Sequence, residues 1–225
     1  MIYHVEFDLD FKRNLYDGCF IALEGIDGSG KSTQAQKLKE ILEKKGRKVV
    51  VRNPFEGEIG VFVRTILAGE RRVSPIALQY IISANRAAQQ EGIIKDLKDG
   101  FDVIIDRYFW SAVAYAILDH PTADKEDMKQ WLLVSQSILS HYHQFLLPDI
   151  TFFLDISSRT ASVRLDLMEK EKEIYEEESK IKKIEKIYEW LVGEFPAEFV
   201  TVNGEQPIEK VTDELLRHIE MCKNT

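Results

Sequence analysis

Residues 25–33 read Gly-Ile-Asp-Gly-Ser-Gly-Lys-Ser-Thr, just beyond the apolar run Cys19-Phe-Ile-Ala-Leu23. The apolar run reads as a buried strand and the residues that follow as a helix, so the nonapeptide lies where a strand passes into a helix. In that context the pattern GxxxxGK[ST] is a phosphate-binding loop. Gly25, Gly28 and Gly30 permit the tight turn that lets backbone N–H groups around Ser29 converge on phosphate oxygens. Lys31 puts a positive charge at the outer phosphates, and the Ser32 hydroxyl is a ligand for Mg²⁺. The first helical turn, which includes Thr33, adds the positive end of its dipole. The sequence therefore predicts nucleoside triphosphate binding.

The rest of the chain fits an enzyme built around that loop. Its 225 residues suit one α/β domain with small insertions, and 44 % hydrophobic with 30 % charged residues describe a globular chain with a sizeable core. A formal charge of −8 argues against nucleic acid or an anionic membrane as the main partner, while leaving room for a local cationic pocket. The two cysteines, Cys19 and Cys222, form no metal-spacing motif or disulfide framework, which fits a reducing cytosol. No run of 18 apolar residues occurs and the charged N-terminus lacks a signal-peptide core, so neither a membrane span nor a targeting segment is expected.

Along the chain, apolar runs alternate with helical patterns. Residues 4–11 alternate, with Val5, Phe7, Leu9 and Phe11 on one face, and predict an edge strand in an N-terminal extension, residues 1–18. Helix signals follow the loop, with Ala35, Leu38, Ile41 and Leu42 on one face, and recur over 57–68, over 75–98 behind the Ser74-Pro75 cap, near Trp110, near Asp124 and from Pro207. Strands are expected at 48–51, 103–105, 150–154 and 199–202. Short strands without period-two patterning, alternating with helices, make a parallel sheet of five strands covered on both faces. Residues 169–189 are dense in both charges; the second half carries an Ile181, Ile184, Ile187, Leu191 stripe, and the first half reads as a mobile lid over about 165–180.

Ligands of open parallel sheets bind at the carboxyl ends of the strands. There the sequence places Asp27, Arg52, Asp106-Arg107-Tyr108 and Asp155 beside Lys31. Phosphoryl transfer needs such an inventory, because its transition state spreads negative charge and catalysis is mainly positioning and neutralisation. Arginines suit a phosphorylated acceptor, since their planar fork matches phosphate oxygens.

FIALEGIDGSGKSTQAQKL, VIIDRYFWSAVAYA and the SANRAAQ run at 83–89 together resemble the thymidylate kinases, from about Phe20 to the C-terminus. The resemblance implies a three-layer nucleotide kinase fold over 19–225 with a helical lid, an ATP-dependent transfer to dTMP, Mg²⁺, and a homodimer formed through helices. It implies that Lys31 and the loop backbone hold the ATP phosphates, and that Ser32 and Asp106 hold Mg²⁺. Asp27 would position the acceptor sugar and phosphate, and Arg107 would bridge donor and acceptor. Arg86 would contact the pyrimidine edge, Tyr115 would pack beside the sugar, and Arg64 would lie near the acceptor. Arg52 would open the loop that grips the acceptor phosphate. With Gly28 in the phosphate loop where some members carry an arginine, Arg164, with Lys172, would supply the catalytic charge from the lid.

Several positions depart from the common family pattern. The acceptor loop reads Arg52-Asn-Pro-Phe-Glu-Gly57, and Glu56 would repel an incoming phosphate unless it turns away. Ile82 stands where many members stack a phenylalanine on the base, leaving Phe55, Phe109 or Tyr115 to supply an aromatic face. Ala116 replaces a glutamine. These departures bear on base choice, so a kinase for another pyrimidine nucleotide, or a non-catalytic nucleotide-binding relative, are the alternatives. An Asn-Lys-x-Asp guanine-reading motif is absent, which argues against a GTPase switch.

Overall fold

The computed structural model describes residues 8–121, 127–168 and 173–221. Five strands, β1 (Phe20–Glu24), β2 (Lys48–Arg52), β3 (Phe101–Asp106), β4 (Ile150–Asp155) and β5 (Val200–Asn203), form one parallel sheet in the order β2-β3-β1-β4-β5. Among the described residues, eight α-helices surround it: α1 (Lys31–Lys44), α2 (Gly57–Leu67), α3 (Pro75–Lys98), α4 (Phe109–Asp119), α5 (Met128–Tyr142), α6 (Ser158–Asp166), α7 (Glu178–Glu194) and α8 (Ile208–Met221). The expected α/β architecture and five-stranded parallel sheet are both present.

β1 shows why the sheet needs two covers. All five of its residues are buried. Phe20 and Ala22 join a core shared with α2–α5 and α7, whereas Ile21 and Leu23 join a second core under α1 and α8. A strand apolar on both faces stabilises a sheet only when helices lie above and below it. β1 pairs with β3 on one side and β4 on the other. The chain thus leaves the centre of the sheet in two directions, and the cleft opens at that switch point.

Local signals placed the elements closely. Ser74 accepts from the Ala77 N–H with Pro75 in the first turn, and Asp127 caps α5 by accepting from Lys129 and Gln130. The helix start expected near Asp124 lies outside the described residues, and the described helix begins at Met128.

Two expectations are corrected. Residues 8–11 form no strand; next to them Lys12 makes an isolated bridge with Leu146, in the segment between α5 and β4, and the sheet edges are β2 and β5. Leu9 and Phe11 instead pack on the helical core, so the alternation records one apolar face without a strand partner; Val5 and Phe7 lie outside the described residues. Where it is described, the lid region is helical only at its two ends: α6 ends at Asp166 and α7 begins at Glu178, with 167–168 in a turn and 173–177 outside any helix. The α7 stripe is buried as expected, at Ile181, Ile184, Ile187 and Leu191.

Candidate active site

The phosphate loop joins β1 to α1, and Gly25, Gly28 and Gly30 all have positive φ. At Gly28, with φ +81°, a Cβ would stand 2.9 Å from the Ala161 carbonyl oxygen of α6, so no side chain fits there. Lys31 opens α1, but its ammonium folds back over the loop, donating to the carbonyls of Gly25 (3.1 Å) and Ile26 (2.8 Å) and to Ser29 Oγ (3.2 Å). Burial and the neighbouring Arg107 charge lower its pKa to about 8, against the opposing pull of Asp106, Asp27 and Glu24. Ser32 and Thr33 follow on the exposed side of the first turn, and Ser32 Oγ donates to Asp106 Oδ2 at 2.5 Å.

Across the switch point, Asp27 and Arg107 meet. Arg107 Nη2 donates to Asp27 Oδ1 at 2.5 Å, while the Tyr115 hydroxyl donates to Asp27 Oδ2 at 2.7 Å. Burial would raise the Asp27 pKa, but the charges of Arg107 and Lys31 and these two hydrogen bonds outweigh it and hold it at about 2. Arg107 Nη1 also donates to the Gly25 carbonyl at 3.1 Å, and the guanidinium lies 5.2 Å from the Tyr115 ring centroid. Arg107 alone among the described non-glycine residues has positive φ, +71°. A conformation of this kind costs about 1–3 kcal/mol and persists only where the surroundings enforce it. Here the Arg107 N–H is tied to the Leu23 carbonyl, and its own carbonyl accepts from Arg86 Nη1.

These groups line a cavity of about 410 Å³. Asp27, Ser32, Asp106 and Arg107 form its phosphate-loop end; Phe55, Arg64, Ile82, Arg86 and Tyr115 form the rest of the expected acceptor wall. Arg86 is buried, and its Nε has no hydrogen-bond partner among the described residues. Phe109 takes no part: it is buried and stacked on Tyr108, at 4.4 Å between centroids. Ala116 faces a different cavity, between α3, α4 and α5.

Three expected residues stand elsewhere. Arg52 does not line the cavity; it makes two hydrogen bonds to Asp96 Oδ2, at 2.9 and 2.6 Å, and one to Glu56 Oε2 at 2.9 Å. Glu56 is thereby turned from the cleft, and its other oxygen accepts from the Asn53 N–H at 2.9 Å. The pair shapes the acceptor loop from behind. Arg164 spans two backbone carbonyls, Gly28 (3.3 Å) and Gly204 (2.9 Å), outside the cavity lining. Asp155 is exposed at the end of β4, with Glu185 and Glu205 as charged neighbours, and is not in the cleft. Lys172 lies outside the described residues.

The structure adds residues that sequence reasoning left without a role. Asn85 Nδ2 donates to the Pro54 carbonyl (2.6 Å) and Gln89 Nε2 to that of Asn53 (2.9 Å), pinning the acceptor loop to α3. Tyr175 and Glu176, from the expected lid, line the cavity; the Tyr175 hydroxyl donates to Asp119 at 2.6 Å. Glu24 lies fully buried beneath the site. A carboxylate closing an otherwise apolar strand was the one available signal for it.

A family model described as thymidylate kinase matches residues 23–215. A thymidylate kinase of Clavibacter michiganensis subsp. michiganensis is 34 % identical over 208 residues, spanning 86 % of this chain and 90 % of its own length. One from a Thermoanaerobacter species is 31 % identical over 202 residues, spanning 88 % and 96 %. Among solved structures, thymidylate kinase from Candida albicans superposes with a TM-score of 0.76 at 29 % identity, covering 94 % of this chain and 95 % of that one.

Proposed function

The chain belongs to the thymidylate kinase family, and on that premise we propose how its own residues carry the transfer of the ATP γ-phosphoryl group to dTMP, giving ADP and dTDP. The observation that supports the assignment of roles is the Asp27–Arg107–Tyr115 cluster, which joins the phosphate loop to the acceptor cavity.

The loop N–H groups and Lys31 bind the donor phosphates. Lys31 exchanges its contacts with the Gly25 and Ile26 carbonyls for phosphate oxygens, and the added negative charge favours its protonated form. Arg107 lies between this loop and the cavity, where a guanidinium neutralises charge shared by donor and acceptor phosphates. An acceptor phosphate is already a nucleophile at neutral pH, so no general base is required. Asp27 accordingly aims Arg107 and Tyr115 and faces the acceptor sugar. Arg86 meets the base edge, with Ile82, Phe55 and Tyr115 supplying the apolar walls, and Arg64 adds charge at the acceptor end.

Ser32 and Asp106 are two hard oxygen donors side by side at the phosphate end, a donor set that suits Mg²⁺ completed by phosphates and water. When bound, Mg²⁺ supplies charge neutralisation on the phosphate oxygens. Arg164 is assigned to the donor side, where it ties Gly28 to Gly204. A homodimer through the helices is supported by the exposed Val61 and Phe62 of α2, Ile76 and Tyr80 of α3 and Leu133 of α5. A cytoplasmic enzyme accords with a chain that carries only two cysteines, Cys19 and Cys222, and no disulfide framework. Among the described residues, no helix is long and apolar enough to cross a membrane.

The test is ADP release from ATP and Mg²⁺ against dTMP, dUMP, UMP, CMP, dCMP, GMP, AMP and thymidine. Preference for dTMP is expected. Preference for another monophosphate would assign Ile82 to a different base, and no turnover with any acceptor would overturn the reading.

A further inference from the structure

Glu24 ends β1, directly before the phosphate loop, and none of the roles above uses it. Three donors converge on its buried carboxylate: the Tyr108 N–H on Oε1 at 2.8 Å, and the hydroxyls of Ser111 and of Tyr188, the latter at 3.1 Å, on Oε2. Ser111 Oγ also lies 2.9 Å from the Tyr188 hydroxyl and accepts from Arg107 Nη1 at 3.1 Å. Tyr188 comes from α7, 77 residues beyond Ser111, and its ring stacks on Phe153.

We infer that Glu24 and Tyr188 are positioning residues for Arg107, acting through Ser111. A carboxylate only accepts, whereas a serine hydroxyl has one proton and two lone pairs. With Glu24 beneath it, the Ser111 proton is drawn down to the carboxylate, and its lone pairs are left for Arg107 above. The hydroxyl of Tyr188 holds the same oxygen of Glu24 and limits where Ser111 can turn. At its other oxygen Glu24 grips the Tyr108 N–H, next in sequence to Arg107, whose own φ is +71°. One buried carboxylate thus orients the Arg107 side chain through Ser111 and holds its backbone through Tyr108. An amide in place of Glu24 creates a conflict in either orientation: its NH₂ faces the Tyr108 N–H, or it faces Ser111 and turns that proton toward the guanidinium.

The inference rests on the reading of Arg107 as the bridge between donor and acceptor phosphates. Its test is a cycle of Tyr188→Phe, Arg107→Lys and the double variant, with Glu24→Gln alongside. Tyr188→Phe keeps the ring packed on Phe153, and thermal melting of each variant confirms the fold. Loss of one hydrogen bond to a charged group predicts a fall in kcat of about tenfold for Tyr188→Phe, with the KM for ATP changed by less than about twofold. The larger polarity conflict predicts a greater fall for Glu24→Gln. In the Arg107→Lys background, Tyr188→Phe should have little further effect, because the group it positions is gone. An unchanged kcat in Tyr188→Phe, or an equal fall in both backgrounds, would overturn the inference.

The Arg107 Nε–H resonance, assigned by its loss in Arg107→Lys, gives a readout that needs no turnover. It should shift in Tyr188→Phe, and an unmoved resonance would overturn the inference. Wild-type protein inactive on every acceptor would refute the functional reading instead, and the resonance would still decide the positioning.

Discussion

Gly60→Ala should damage the acceptor site while leaving the donor site intact. Gly60 lies inside α2, where helix propensity alone favours alanine by about 1 kcal/mol. A Cβ there, however, would stand 2.2 Å from the Phe55 carbonyl carbon, 2.4 Å from its oxygen and 2.7 Å from its Cα. Backbone must therefore retreat by roughly 1 Å to reach ordinary van der Waals separation. The loop has little freedom to do so, because Asn85, Gln89 and Glu56 hold its Pro54 carbonyl, Asn53 carbonyl and Asn53 N–H. Overpacking of this kind costs about 1–3 kcal/mol, so the net destabilisation is about 0–2 kcal/mol, and the melting temperature falls by at most about 8 °C. A displacement of about 1 Å in a substrate-positioning wall can cost up to about 100-fold, so kcat/KM for the acceptor should fall about 10- to 100-fold, with the KM for ATP within about twofold. Gly193→Ala in α7 is the control: nothing lies within 4 Å of its Cβ, and it should stabilise by about 0.5–1 kcal/mol without kinetic effect. Steady-state kinetics with each substrate varied, together with melting curves, decide the matter. If Gly60→Ala behaved like Gly193→Ala, the steric argument for the acceptor wall would be wrong.

Lys31 should make ATP binding pH-dependent. Burial and Arg107 hold its pKa near 8, phosphates favour its charged form, and affinity should fall as pH rises above about 8. Calorimetry from about pH 7 to 9.5 should show this slope in the wild type and its absence in Lys31→Arg, which stays charged. For Asp27, a folded pKa of about 2 against 3.8 means that its stabilising contribution is present above the ordinary value and is lost as pH falls through about 2. With 29 % of its side chain exposed, that contribution is discounted to about 1–2 kcal/mol, and Asp27→Asn should lose it at pH 7 in urea titrations while lowering kcat. Equal stability of Asp27→Asn and wild type at pH 7 would contradict the ion-pair account. Arg164→Ala should raise the KM for ATP more than it lowers kcat, because Arg164 braces Gly28 and Gly204; a pure kcat loss would restore the phosphoryl-stabilising role that the sequence suggests for it.

The elements of this fold are legible in sequence because their determinants are local. A five-residue apolar run, a glycine loop with Lys31, and Ser74 before Pro75 each act within a few residues. Residues 8–11 show where that logic fails. Alternation fixes which side chains share a face but not whether a strand lies alongside, and Leu9 and Phe11 pack on helices instead. The expected lid is a related case: the charge density of its sequence says nothing of the Tyr175 contact with Asp119, which accompanies the place of Tyr175 in the cavity wall.

The arginines separate what residue type can reveal from what only pairing can. Arg52, Arg86, Arg107 and Arg164 all follow strand ends or motif positions, and all four are plausible phosphate ligands by chemistry alone. Arg52 is taken by Asp96, 44 residues away, and Arg164 by two backbone carbonyls, so neither presents its charge to the cavity. Arg107 is also paired, yet its partner Asp27 lies inside the cavity wall, so the pairing aims the guanidinium at the site. The same reasoning assigns Glu56, whose charge would repel a phosphate if Arg52 did not hold it aside. An ion pair behind a loop shapes the loop, whereas an ion pair across the mouth of a phosphate site shapes the reaction. For Arg52 with Asp96, Arg107 with Asp27, and Arg164 with Gly28 and Gly204, that difference is set by contacts spanning 40 to 136 residues, which no local pattern encodes.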